Sequence, residues 1–254
     1  MDAVNAILRV EGMRKSFGAL RAVDDVSFVL NEREILGVAG PNGSGKSTLF
    51  NLLTRIQVQA DAGTVWFDGK DISGVSANKI CQLGIARTFQ RDADFATMTA
   101  LDNAIVGAAY GKNAGTSKQA NKDRAISALR RVGLDPSCDQ MPAETLSSFQ
   151  RRCLMIATAL ATDPAVLLLD EPASGLTPPE IAQLGNLIQS LREEGMSVVL
   201  IEHVLSLLLD VSDRLIVLDH GQVIAEGNPD DVVRSEAVIE AYLGPRHSEV
   251  RAHA

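Results

Sequence analysis

The sequence lacks the features by which a chain crosses a membrane or is exported. No apolar run approaches the ~18 residues that a membrane-spanning helix needs. Its opening, MDAVNAILRV, has neither the basic nor the long apolar segment of a signal peptide. We therefore expect any association with a membrane to come through a partner protein.

Cysteine is scarce, and there is no excess of positive charge. The three cysteines are an odd number without CxxC spacing, which disfavours a disulfide framework and a zinc site and fits a reducing cytosol. The net charge is −8, and an acidic surface repels nucleic acid and anionic membranes, so only a local basic patch could bind either. By contrast, apolar residues make up 46% of the 254 residues. That suffices for a sizeable core in one large domain, or in a domain with an inserted lobe.

The pattern of apolar runs predicts an α/β fold. Short runs rich in Val, Ile and Leu, separated by helical stretches, are typical of strands buried on both faces of a parallel sheet: 35–40, 166–170, 197–202 and 214–219. Alternation and turn residues at 7–30 and 63–72 suggest a small antiparallel sheet as well. Between about 92 and 160 the pattern is helical, which predicts an inserted helical lobe.

The most specific motif is GPNGSGKST, which directly follows the first apolar run. It matches GxxxxGK[ST], in which glycines let backbone N–H groups surround phosphates, Lys46 reaches the outer phosphates and the Ser47 hydroxyl ligates Mg²⁺. The alternative, a glycine turn with an exposed lysine, is disfavoured by the strand before the motif and the helix after it. The predicted phosphate-binding residues are Gly40, Pro41, Asn42, Gly43, Ser44, Gly45, Lys46, Ser47 and Thr48.

Three weaker motifs supply acidic, amide and imidazole groups. The run VLLLDEP ends a predicted strand with Asp170, which can hold a magnesium-bound water, and Glu171, which can polarise an attacking water. GIARTFQ ends at Gln90, whose amide can ligate Mg²⁺ and move with the lobe. SVVLIEH ends at His203, which can hydrogen-bond the γ-phosphate and the attacking water. Taken alone, each is as often or more often an ordinary structural or loop residue; the P-loop favours the functional interpretation.

Taken in order, the P-loop, RTFQ, LSSFQ, LLLDEP, SGLT and EH resemble the ATP-binding cassette ATPases from about residue 7 to about residue 243. The resemblance implies a P-loop NTPase of the ABC ATPase type, with a mixed or parallel core sheet, an antiparallel β subdomain and an inserted helical lobe. It implies one ATPase domain at 1–243, whose helical lobe lies at about 92–160, and a C-terminal tail at 244–254. ATP and Mg²⁺ are the implied cofactors.

The resemblance also implies site residues. In the family, two cassettes enclose each ATP between the P-loop of one and the signature helix of the other. Phe17 then stacks on adenine, while Ser147 and Gln150 contact the nucleotide of the opposite cassette. The implied catalytic residues are Lys46, Gln90, Glu171 and His203, and the implied metal ligands are Ser47, Gln90 and Asp170.

The signature segment departs from the family pattern. The family usually has LSGGQ or LSYGQ, whereas here Ser148 and Phe149 follow the first serine. Glycine allows close backbone approach to a phosphate, so a phenyl group there predicts a weakened site and favours a different cassette as partner. Thr158 and Thr177 also replace usual family residues. These departures lie in parts that act across the dimer, whereas the parts that act within the chain match.

A narrower resemblance indicates the function. GIARTFQ, MTALDNAIVG, GQVIAEGNPDDV and VIEAYLG are similar to the ATPase subunits of branched-chain amino-acid uptake systems. This implies the ATP-hydrolysing subunit of an importer, bound peripherally through its permease at the cytoplasmic face of the membrane. The implied partners are permease subunits, a second ATPase subunit in a heterodimer or homodimer and, indirectly, a solute-binding protein, but no nucleic acid. The permease is expected to dock at about 91–103, where Phe95, Met98 and Leu101 interrupt polar residues.

Other functions remain as alternatives. Relatives that take up urea, amides or aromatic compounds and relatives that export lipopolysaccharide have similar motifs. A non-transport switch ATPase fits less well, because neither a long coiled-coil insertion nor a tandem cassette is present. A metabolic kinase with a P-loop fails on the signature, Gln90 and His203 taken together.

Overall fold

The protein is described by a computed structural model over residues 6–89 and 94–243. Its elements in chain order are β1 (Ala6–Phe17), β2 (Leu20–Asn31), β3 (Ile35–Ala39), α1 (Lys46–Thr54), β4 (Ala62–Phe67), β5 (Lys70–Asp71), α2 (Ala77–Leu83), β6 (Ile85–Arg87), α3 (Ala100–Tyr110), α4 (Lys118–Arg131), α5 (Ser148–Leu160), β7 (Val166–Asp170), α6 (Pro178–Glu193), β8 (Ser197–Ile201), α7 (Leu205–Val211), β9 (Arg214–Asp219), β10 (Gln222–Gly227), α8 (Pro229–Val232) and α9 (Glu236–Leu243). Short 3₁₀ turns lie at Pro136–Cys138 and Ala143–Thr145.

The described chain forms two compact units. The first contains residues 6–75 and 197–243, and the second contains 76–196. The boundaries expected for a helical lobe, about 92–160, stay a prediction. The second unit includes this range but is longer, and it also contains the strands β6 and β7. The tail at 244–254 lies outside the described residues.

The first unit contains two sheets. One is antiparallel, with strand order β2-β1-β4-β5. In the other, β3 pairs in parallel with both β8 and β9, and β10 adds to β9 in antiparallel orientation. Every residue of β3 and β8 is buried, as expected for continuous apolar runs in a parallel sheet. The predicted α/β class, with a mixed sheet and an antiparallel β sheet, is confirmed.

The second unit combines two parallel strands with helices. β6 pairs with β7, with Ile85 opposite Val166, and α3 packs against both α4 and α5. A Cβ on Gly107 would lie 2.1 Å from the carbonyl oxygen of Thr158, so glycine is what lets α3 approach the backbone of α5. None of the helices within 6–89 and 94–243 combines the length and the apolar character that crossing a bilayer requires.

Candidate nucleotide-binding site

The loop between β3 and α1 curls around a buried ammonium group. Lys46 is 5% exposed, and its Nζ donates hydrogen bonds to the carbonyl oxygens of Gly40 at 2.8 Å and Pro41 at 3.0 Å. It also donates to the hydroxyl of Ser44 at 3.3 Å. The lysine charge is therefore held inside the loop by the loop's own oxygens.

Two glycines of this loop occupy positions that no other residue fits. Gly40 has φ +146° and Gly45 has φ +107°, values that residues other than glycine rarely adopt. A Cβ would lie 2.1 Å from the carbonyl oxygen of Leu218 at Gly40 and 2.2 Å from that of Ala22 at Gly45. The loop thus packs its backbone directly against β9 and β2.

The donors around the loop fit a polyphosphate. The first turn of α1 directs backbone N–H groups and the positive end of the helix dipole toward the loop. Asn42 and Gly43 are exposed, and a Cβ on Gly43 would meet no described atom within 4 Å, so the loop's outer side has space for a ligand. Ser47 is exposed in the same turn of α1, where its hydroxyl is available to a metal ion.

The expected adenine-binding aromatic lies on a hairpin that contacts this loop. Phe17 ends β1 with 48% of its surface exposed, and the Lys15 ammonium lies 5.4 Å from the centre of its ring. The same hairpin continues into β2, where the carbonyl of Ala22 abuts Gly45. The first unit therefore brings the hairpin of Phe17 to the P-loop. The stacking role of Phe17 stays a prediction.

His203 lies at the same sheet edge as the P-loop. Val38 of β3 pairs with Ile201 of β8, and the carboxyl ends of parallel strands meet at one edge, so the segments after the two strands are neighbours. His203 is exposed. Its backbone N–H donates to the carboxylate of Glu202 at 3.0 Å. The catalytic role of its imidazole stays a prediction.

In the second unit, Asp170 is charge-paired with a residue that the sequence analysis missed. The Nη2 of Arg87 donates to Oδ2 of Asp170 at 2.7 Å, and the two side chains are 6% and 3% exposed. The N–H of Asp170 donates to the hydroxyl of Thr88 at 3.3 Å. The signal was present as the arginine of GIARTFQ, but the pairing joins residues 83 positions apart.

Glu171 has an unusual backbone conformation. Its φ is +49°, in the left-handed region that bulky residues rarely adopt, and it is 8% exposed. Its carbonyl accepts a hydrogen bond from the N–H of Ser174 at 3.2 Å. Backbone of this kind persists only where the surrounding structure holds it in place. The catalytic role of Glu171 stays a prediction.

The signature segment forms a capped helix start. Ser147 precedes α5, and its hydroxyl accepts from the N–H of Gln150 at 3.2 Å. In return, the side-chain oxygen of Gln150 accepts from the N–H of Ser147 at 2.9 Å. Each side chain thus accepts a hydrogen bond from the other residue's backbone N–H group. Phe149, which lies between these two residues in the sequence, is half-buried. Contact of Ser147 and Gln150 with a phosphate stays a prediction.

The remaining predicted ligand, Gln90, lies outside the described residues. Of the others, Lys46, Ser47, His203 and the hairpin of Phe17 belong to the first unit. Asp170, Glu171, Ser147 and Gln150 belong to the second unit.

Comparison with known proteins places the chain in a family. The family model described as "ABC transporter" matches residues 23–174, and one described as "Branched-chain amino acid ATP-binding cassette transporter" matches residues 222–244. The high-affinity branched-chain amino acid transport ATP-binding protein LivG of Salmonella typhimurium is 36% identical over 94% of this chain and 98% of its own length. The BraF protein of Pseudomonas aeruginosa, described in the same words, is 37% identical over the same shares.

Solved structures agree with these relatives. A nucleotide-free ATP-binding cassette from an ABC transporter has a TM-score of 0.85 and 33% identity, covering 94% of this chain and 100% of that one. An ATP-binding cassette of an ABC transporter in its ADP conformation also has a TM-score of 0.85, with 32% identity over 94% of this chain and 99% of that one. The glycine-rich loop around Lys46, the matched family model and these full-length likenesses lead to one conclusion: the chain belongs to the ABC transporter family, as one of its ATP-hydrolysing cassettes.

Proposed function

We propose that this chain is the ATP-hydrolysing subunit of an importer that takes up branched-chain or related amino acids. The observation that supports this most is the second family match, because residues 222–244 span β10, α8 and α9, which lie outside the part matched by the general model. Relatives named for branched-chain amino-acid transport match 94% of the chain. Uptake of urea or amides and export of lipopolysaccharide are less favoured for the same reason.

In this proposal, residues 1–243 act as a single ATPase domain that binds ATP through the P-loop. The buried ammonium of Lys46 and the N–H groups at the start of α1 bind the phosphates of ATP. Ser47, Gln90 and Asp170 would hold Mg²⁺, which would supply positive charge beside the phosphate oxygens. Arg87 fixes the carboxylate of Asp170 through their short hydrogen bond. The helical lobe at about 92–160 then moves with the nucleotide state.

Hydrolysis depends on Glu171 and His203. The water oxygen forms a bond to the γ-phosphorus while the bond from that phosphorus to the oxygen of the leaving ADP breaks, and the Glu171 carboxylate accepts the water's proton. The His203 imidazole hydrogen-bonds the γ-phosphate and that water. Loss of a general base commonly lowers a rate by about 10²-fold or more. The two residues are thus expected to affect turnover more than binding.

Substitutions test this division of roles. Lys46→Ala is expected to abolish ATP binding measured by calorimetry, whereas Glu171→Gln retains binding and loses hydrolysis. Lys70→Ala and Glu144→Gln make the same chemical changes at exposed positions and serve as controls. Turnover by Glu171→Gln at the wild-type rate would remove Glu171 from the mechanism.

Reconstitution tests the transported solute. The chain is to be purified with its permease and solute-binding protein and assayed for ATP-driven uptake of leucine, isoleucine and valine, with urea as the comparison. We expect uptake of the branched-chain amino acids, lost with Glu171→Gln. Uptake of urea alone, or ATP-driven export, would contradict the proposal.

The permease is proposed to dock at about 91–103, peripherally holding the chain at the cytoplasmic face of the membrane. Phe95 is 50% exposed and Met98 is half-buried, so both can contact a partner helix. The expectation was wrong for Leu101, which is 6% exposed because it lies on the inner side of α3. Residues 91–93 lie outside the described chain. Crosslinks from Phe95 to the permease support the proposal, and crosslinks confined to the tail at 244–254 contradict it.

A second ATPase subunit is proposed to complete the assembly, with a different cassette favoured over a second copy. The reason is Phe149, which stands where the family usually has glycine and which occupies the second position of α5. Its phenyl group limits how closely backbone can approach a nucleotide held by the partner. Ser147 is exposed beside it.

A further inference from the structure

The last helix of the described chain is hydrogen-bonded to the first residue of the P-loop. The N–H of Gly40 donates to the hydroxyl of Tyr242 at 2.8 Å, across 202 positions of sequence. The carbonyl of Gly40 accepts from Nζ of Lys46 at 2.8 Å. Gly40 therefore connects the tyrosine hydroxyl on one side to the phosphate-binding ammonium on the other.

Gly40 has little freedom to adjust. Its φ is +146°, and a Cβ there would lie 2.1 Å from the carbonyl oxygen of Leu218 and 2.7 Å from the hydroxyl of Ser44. With its backbone confined on that side, the orientation of its peptide N–H depends on what accepts its hydrogen bond. The Tyr242 hydroxyl is that acceptor.

The helix that supplies this hydroxyl is itself loosely packed. One side of α9, including Val238, Ile239 and Tyr242, lines an apolar cavity of about 170 Å³. The other side, including Glu240, faces a groove of about 550 Å³ that also borders residues 41–44 of the P-loop. Within α9, all of whose residues Glu236–Leu243 are described, only Val238 is buried. Segments with few buried contacts open most readily.

The Tyr242 hydroxyl accepts the hydrogen bond from Gly40 in its neutral, protonated form. Burial raises the pKa of Tyr242, and the hydrogen bond from the Gly40 N–H opposes this only partly. The phenol therefore stays protonated at physiological pH. The hydrogen bond from Gly40 is thus not lost through ionisation of Tyr242 at that pH.

We propose that Tyr242 is a positioning residue for nucleotide binding, whose hydroxyl holds Gly40, and through it Lys46, in the phosphate-binding arrangement while α9 is docked. The C-terminal helix is in this way a control element of the P-loop. Undocking of α9 lowers ATP affinity without removing any group that contacts ATP. The inference rests on the proposed use of the P-loop for ATP binding, and its test separates the two.

The test is Tyr242→Phe in the full chain, which removes the hydroxyl and keeps the ring. A neutral hydrogen bond is worth about threefold to tenfold in an equilibrium constant, so we expect KM for ATP to rise by about that factor while kcat changes less than about twofold. The chain's other tyrosine provides the matched control. Tyr110 is 72% exposed on α3, and Tyr110→Phe is expected to leave both constants unchanged.

A second measurement does not depend on turnover. Hydrogen exchange of the peptide that contains Gly40 is expected to quicken in Tyr242→Phe and in Val238→Ala, which loosens α9 but keeps the hydroxyl. KM and exchange equal to wild type in Tyr242→Phe would overturn the inference, and so would a fall in kcat with KM unchanged. If Lys46→Ala still abolishes binding in the same series, only the role of Tyr242 fails. If Lys46→Ala binds ATP normally, the proposed site itself fails.

Discussion

Replacing Arg87 with methionine is the sharpest test of how the second unit holds Asp170. The change keeps an unbranched apolar stem but removes the guanidinium that donates to Asp170 at 2.7 Å. The partner carboxylate stays behind in a setting where its side chain is 3% exposed. A charge left in such surroundings loses the interaction that offset its removal from water.

The expected loss is large because both partners are buried. Breaking a buried ion pair from one side costs about 3–5 kcal/mol. In a chain of this size, 1 kcal/mol corresponds to about 2–4 °C in Tm, so Arg87→Met is expected to lower Tm by about 6–20 °C. The same arginine orients a predicted metal ligand, and loss of such a partner commonly costs about 10–100-fold in metal affinity or activity.

Thermal unfolding followed by circular dichroism measures the first effect, and ATPase activity as a function of Mg²⁺ concentration measures the second. The chain offers a matched control in Arg14, whose guanidinium lies 3.1 Å from Asp25 with side chains 55% and 64% exposed. Arg14→Met makes the same change at an exposed pair and is expected to cost less than about 1 kcal/mol. In the double variant Arg87→Met with Asp170→Asn, much of the lost stability should return, because the buried charge is gone.

Two outcomes would refute this reasoning. If Arg87→Met unfolds within about 1 kcal/mol of wild type, as Arg14→Met should, burial does not determine the strength of the pair. If the double variant is less stable than Arg87→Met, the remaining charge of Asp170 was not the source of the loss.

Three further predictions follow from other sites. Phe149→Gly is expected to raise ATPase activity by about 10–100-fold at the site to which the signature segment contributes, both in the isolated chain and in its complex with a second cassette. Equal rates for wild type and Phe149→Gly, each measured alone and with the second cassette, would mean that the phenyl group is simply tolerated. Gly45→Ala, whose Cβ would lie 2.2 Å from the carbonyl oxygen of Ala22, should lower ATP affinity at least about tenfold, whereas Gly69→Ala, also at positive φ but in open space, should not. Burial raises the pKa of Cys153 to about 12, so at pH 8 only about one thiol in 10⁴ is the reactive thiolate. Peptide mass mapping should show iodoacetamide labelling of Cys153 only after unfolding, and equal labelling of Cys153 in the native chain would contradict this.

The parts of this structure that the sequence predicts are those set by local residue type. The runs that became β3, β7, β8 and β9 are uninterrupted apolar segments, and strands buried on both faces require that composition. The P-loop is equally local, since its glycines, lysine and serine stand within nine consecutive residues. Sequence alone therefore sufficed for the α/β class and for the position of the glycine-rich loop around Lys46, whereas phosphate binding by this loop stays a prediction.

Contacts between distant residues could not be found in this way. The bonds from Arg87 to Asp170 and from Gly40 to Tyr242 join positions 83 and 202 apart, and such pairings depend on how whole elements pack. Leu101 was counted among the residues of the permease-docking segment for a related reason, since its burial depends on which side of α3 faces the unit's interior. The capping box at Ser147, in contrast, has a sequence signature, Ser-x-x-Gln, which was interpreted only as a phosphate contact.

The left-handed backbone of Glu171 has a consequence for engineering this protein. At φ +49°, glycine or asparagine would adopt this backbone conformation with less strain than glutamate. Any search guided by folding stability alone would therefore favour replacing this residue. The gain in stability would come at the proposed proton acceptor. Thermostabilised versions of the chain should therefore be built with position 171 held fixed, because here selection for turnover and selection for stability point in opposite directions.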